Sequence, residues 1–76
     1  MAATMKTMEL VLADILAPDQ LLENDLIRHE DEIVTIKKIE SIDSGWLVIA
    51  TNDFDEEIEI EFADDAKISW YVFSQV

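Results

Sequence analysis

From Glu56 to Phe62 the chain alternates strictly: Ile58, Ile60 and Phe62 fall on one side of an extended backbone, Glu57, Glu59 and Glu61 on the other. Period-two alternation of this kind predicts a half-buried strand. Lys67 to Phe73 predicts another, with Ile68, Trp70 and Val72 on one side and Ser69, Tyr71 and Phe73 on the other. Its aromatics on both faces imply cover on both. Trp46 to Thr51 reads as a third strand and Asp25 to His29 as a short one. Glu32 to Ile42 is longer, and its pattern slips: Val34 and Ile36 share one face while Ile39 belongs to the other. A slip of one residue predicts a β-bulge or sharp bend near Lys37-Lys38. Met8, Leu10 and Leu12 alternate with Glu9 and Val11, which suits a short strand at the start.

Turn residues separate these runs. Glu30-Asp31 is a polar pair without the Gly or Asn that the tightest hairpins favour. Asp43-Ser44-Gly45 holds the only glycine, Asn52-Asp53-Phe54-Asp55 follows, and Ala63-Asp64-Asp65-Ala66 is long enough for a single 3-10 turn. Residues 13–23 are expected to be irregular. Pro18 either opens a short helical turn with Ala17 held extended before it, or interrupts a brief helix capped by Asp14. Five strands from residue 25 onward, joined by three short hairpins and a one-turn corner, follow the order of a small SH3-like antiparallel barrel. Closure favours that form, because a barrel leaves fewer bare edges than a flat meander. The expectation is therefore a mainly β chain: a flexible lead-in over residues 1–6, then one SH3-like barrel domain over 7–76 with a short N-terminal strand and turn extension. Its expected core is Ile33 or Val34, Ile36, Ile39, Trp46, Val48, Ile58, Ile60, Phe62, Ile68 and Trp70.

Composition narrows the function. Seventy-six residues carry 18 Asp and Glu against 5 Lys and Arg, a net charge of −13, with half the chain apolar and no cysteine. The apolar half is too large for a disordered acidic tail, so the chain should fold. The missing cysteines exclude disulfides and thiolate metal sites, and point to a reducing cytoplasm, that of a host cell if the source is viral. The charge repels phosphate backbones and anionic membranes, so neither direct nucleic-acid binding nor membrane binding is expected. A basic protein surface would attract it.

The run from Glu9 through Asp14, Pro18 and Asp25 to Ile27, followed by Ile33-Val34-Thr35-Ile36 and the Trp46 hairpin, resembles small acidic SH3-like barrel proteins of actinobacteria and their phages. Such proteins tend to carry Gly-Asp where this chain has Asn24-Asp25. The resemblance implies the fold and a phage origin; it implies no activity, since a shared fold does not transfer function.

The densest chemical feature is acidic. Asp53, Asp55, Glu56, Glu57, Glu59, Glu61, Asp64 and Asp65 place eight carboxylates in thirteen residues with no base among them. On a strand, Glu57, Glu59 and Glu61 project at intervals of about 6.8 Å and imitate the repeated charge of a nucleic-acid strand. The plainer reading is a solvated face that discourages aggregation. Such faces usually interleave Lys with Glu, however, and this one does not. Tyr71 and Phe73 form the second candidate surface, to be covered by the first strand through Val11 and Ile15, by a partner, or by a second copy.

Catalysis and cofactors are not expected. Asp53-x-Asp55-Glu56 resembles the start of a calcium loop, but Ile58 stands where Gly is required and Asp64 where Glu is required. His29 is the lone histidine, beside a turn, and no serine has a nucleophile setting. The leading expectation is a non-enzymatic binding module, a phage-type acidic protein that docks on a basic, nucleic-acid-binding surface of a host protein and inhibits or modulates it. The alternative is a structural or accessory domain that oligomerises through Tyr71, Phe73 and strand edges.

Overall fold

The structure is a computed structural model that describes residues 8–75. The lead-in expected over residues 1–6 lies outside them. Six strands form one antiparallel sheet: β1 (Met8–Leu16), β2 (Leu26–His29), β3 (Glu32–Ile42), β4 (Gly45–Thr51), β5 (Glu57–Phe62) and β6 (Ile68–Gln75). Their spatial order is β1-β6-β2-β3-β4-β5. The only helical turn among the described residues is 3-10, at Pro18–Gln20. The mainly β expectation therefore holds. The closed barrel does not follow: β1 and β5 stand at the two ends of the strand order, and the sheet is open in its hydrogen bonding.

The meander β2 to β5 arises from local chemistry. Glu30 and Asp31 occupy the β2–β3 turn with φ of 48° and 66°, the doubly left-handed form that matches strand twist, despite lacking Gly or Asn. The bulge expected near Lys37-Lys38 is present, as the β3–β4 register shifts between Ile36 and Lys38. Gly45 has φ of 143°, and a Cβ there would lie 2.1 Å from the Phe62 carbonyl oxygen, so β5 can pass only over a glycine. Asn52 organises the β4–β5 turn. Its Oδ1 accepts hydrogen bonds from the Phe54 and Glu56 amides at 2.9 and 3.0 Å.

The segment between β1 and β2 is shorter than expected, because β1 runs on to Leu16 through a second register shift between Leu12 and Asp14. Ala17 is extended and Pro18 opens the 3-10 turn, while the Gln20 side chain accepts a hydrogen bond from the Ala17 amide at 2.9 Å. The connector is then fastened to β3. Asn24 donates to the Ile36 carbonyl at 2.7 Å, and Ile36 donates to that of Asp25 at 2.9 Å.

The core comprises Leu21, Ile27, Val34, Ile36, Val48, Ala50, Ile60 and Ile68, with Leu16, Ile39, Ile58 and Phe62 packed partly against it. Val34, not Ile33, is the inward residue. Trp46 and Trp70 are only half-buried, contrary to the sequence expectation. Leu21, Ile27 and Ala50, absent from the expected core, are buried instead.

Candidate functional site

Strand register decides which side chains share a face. The paired positions Tyr71, Leu26, Thr35, Thr51 and Glu57 run across five strands. Because successive residues alternate, Glu59 and Glu61 lie on the same face as Glu57, and Phe73 on the same face as Tyr71. The opposite face carries Trp70, Ile27, Val34, Ile36, Ala50 and Ile58, and so faces the core. The two candidate surfaces of the sequence thus lie on one outer sheet face. Glu57, Glu59 and Glu61 on β5 stand four strands from Tyr71 and Phe73 on β6, whereas Asp53, in the turn before β5, borders the same cleft as Phe73.

The acidic residues line β5 from end to end. Asp53, Asp55 and Glu56 lie in the turn before it, Glu57, Glu59 and Glu61 on its outer side, and Asp64 and Asp65 in the turn after it; all eight are exposed. Across the ladder Glu57, Glu59 and Glu61 meet Thr51, Ile49 and Leu47, none of them a cation. The ion pairs among the described residues lie elsewhere, Arg28 to Asp31 at 2.9 Å and Lys38 to Glu40 at 2.6 Å, and the His29 imidazole lies 3.9 Å from the Glu30 carboxylate. The hydrogen bond to Asp31, then that to Tyr71, holds the Arg28 guanidinium above its ordinary pKa, and the hydrogen bond to Glu40 does the same for Lys38. These two cations are already engaged. No cation among the described residues forms an ion pair with any of the eight acids.

The second surface differs from expectation. β1 does not lie over Tyr71 and Phe73; it joins β6 edge to edge, with Leu12 beside Tyr71 and Leu10 beside Phe73 on the same face. Val11 pairs with Val72 and points the other way. Tyr71 is half-buried next to Arg28, whereas Phe73 is 56% exposed. Sequence reading missed Leu10 and Leu12 as companions of these aromatics. Their alternation was visible, but the pairing of the first strand with the last was not.

No group of three or more His, Cys, Asp or Glu among the described residues is disposed to hold a metal ion, and no helix among them is long and apolar enough to cross a membrane. No family model, curated protein or solved structure matches the chain. The surface itself carries the functional argument.

Proposed function

We propose that this protein is a non-enzymatic binding module that docks the acidic face of β5 on a basic surface of a partner protein. The observation that carries it is the row Glu57, Glu59 and Glu61 on an edge strand, flanked at both ends by further carboxylates, with no cation among the described residues paired to any of them. Unmixed carboxylates this close repel one another and cost stability, so a solvated face alone is a poor reason to keep them. A basic groove that normally holds nucleic acid offers matching charge at matching spacing. In its sharpest form the protein is a phage-type inhibitor that acts in the host cytoplasm and competes with nucleic acid for such a groove. The SH3-like reading belongs to the same proposal and is supported by the chain path, a four-strand meander followed by one turn and a return of β6 beside β2.

The test is kinetic. A partner is recovered from host lysate in roughly 20 mM salt and released in roughly 300 mM, where screening is strong. Its association rate is then measured against the native protein and the triple variant Glu57→Gln, Glu59→Gln, Glu61→Gln. Slower association and a flatter salt dependence are expected for the variant. An unchanged rate at low salt would reduce the row to a solvated face. The exposed Phe73 favours the second reading, assembly through aromatic surfaces; there, the triple variant binds normally and Tyr71→Ser with Phe73→Ser abolishes assembly.

A further inference from the structure

Part of the same outer face is neither acidic row nor core. An open cleft of about 490 Å³ lies where the β1–β6 ribbon meets the β2–β3 hairpin. Leu10 and Phe73 line it from the ribbon, and Leu26 and Ile33 from the hairpin. Leu10 and Phe73 are cross-strand partners, 39% and 56% exposed, so these apolar surfaces face solvent. Three exposed carboxylates also border the cleft: Asp31 and Glu32 from the hairpin, and Asp53 from the β4–β5 turn.

We propose that this cleft seats an extended segment of a partner protein in which an aromatic or branched aliphatic side chain is flanked by Lys or Arg. The proposal rests on the reading of the protein as a binder of basic partners, and it adds where the apolar anchor goes. Charge selects the flanking residues. Arg28 engages Asp31, but Glu32 and Asp53 have no ion-pair partner among the described residues, and each can receive a cation at the mouth of the cleft. The apolar walls select the anchor, because burying a large side chain against exposed Leu and Phe removes both from water. A second copy of the chain is disfavoured as occupant, since each copy carries a charge of −13. A compact small molecule fits less well than a chain segment, because the apolar surface continues along β1 through Leu12 and Ile15, 52% and 46% exposed.

Charge and anchor act on different steps. The acidic face governs how fast a basic partner arrives, and the cleft governs how long it stays.

Two synthetic peptides of equal charge separate these roles: one alternating Lys with Leu around a central Trp, and one with Ser in place of every Leu and Trp. Binding is followed by fluorescence anisotropy and by amide shifts in nitrogen-15 spectra. The apolar peptide is expected to bind at least about tenfold more tightly, with shifts centred on Leu10, Leu26, Ile33 and Phe73. Phe73→Ser and, separately, Leu10→Ser should each remove most of that advantage. Both sites are solvent-exposed, so unchanged spectra elsewhere will show that the fold persists. Equal affinity of the two peptides, or shifts confined to β5, would overturn the cleft. Concentration-dependent shifts at these residues without peptide, together with dimers in light scattering, would assign it to a second copy and overturn the proposal too. Failure of the cleft is distinct from failure of the acidic row. In the first case the Ser peptide binds as well as the Leu one and loses affinity in the Gln triple variant. In the second the Leu peptide still seats in the cleft, but the triple variant binds it at the native rate.

Discussion

Gly45 and Asn52 each hold a turn by a means that only one residue type supplies. At Gly45 both the backbone angle and the neighbouring carbonyl of Phe62 exclude a side chain. Gly45→Ala is expected to destabilise the fold by about 2–4 kcal/mol, measured as a lowered urea midpoint at unchanged slope. Asn52 joins Phe54 and Glu56 through one oxygen and also donates to the Glu56 carboxylate at 3.1 Å. Asn52→Ala should cost roughly 1–2 kcal/mol and speed amide exchange at Phe54 and Glu56, since two donors lose their acceptor. The sequence marks both positions as turns, because Gly and Asn are chosen there for their own conformations. It does not show that Gly45 serves β5, since the Phe62 backbone approaches it only after the sheet forms.

Among the elements, β3 and β5 were legible throughout, and β1 only over its first half, where Met8, Leu10 and Leu12 alternate; its continuation to Leu16 was not. The Val34-Ile36-Ile39 slip encodes a bulge directly, and the observed shift between Ile36 and Lys38 matches it. β1 carries a bulge as well, between Leu12 and Asp14, but there the polar Asp14 and the following Pro18 mimic the end of a strand. The same bulge sets Leu10, Leu12 and Ile15 on one face, an arrangement that simple alternation would not give. The β2–β3 hairpin holds a residue-type conflict: Glu30 and Asp31 both adopt positive φ, where Asn and Gly sit at lower cost. Replacing the pair by Asn-Gly should raise stability by about 0.5–1.5 kcal/mol in thermal or urea unfolding, even after losing the exposed Arg28–Asp31 pair. A destabilised variant would mean that the ion pair outweighs the backbone relief.

For the whole molecule, charge is legible from sequence and closure is not. Eight acids without a base predict an exposed acidic surface in any fold, whereas the ends of a sheet depend on which distant strands pair. The joining of β2 to β6 rests on two register pairs, Leu26 with Tyr71 and Ile27 with Trp70, a link that no local pattern announces. Repulsion along β5 makes the fold sensitive to salt. Raising sodium chloride from roughly 20 to roughly 300 mM should lift the melting midpoint by a few degrees, about 4–8 °C for each kcal/mol gained. An unchanged or lowered midpoint would show that these carboxylates do not strain the fold. The pairing of β1 with β6 has a consequence for connectivity. Met8 stands opposite Gln75, which places the two backbones about 5 Å apart at one corner of the sheet. Joining them there and reopening the chain between Asp43 and Ser44 should give a circular permutant that melts cooperatively with an unchanged far-ultraviolet spectrum. The same corner lets the sheet be grafted into a surface loop of a host protein, entering and leaving through a gap no wider than a hairpin.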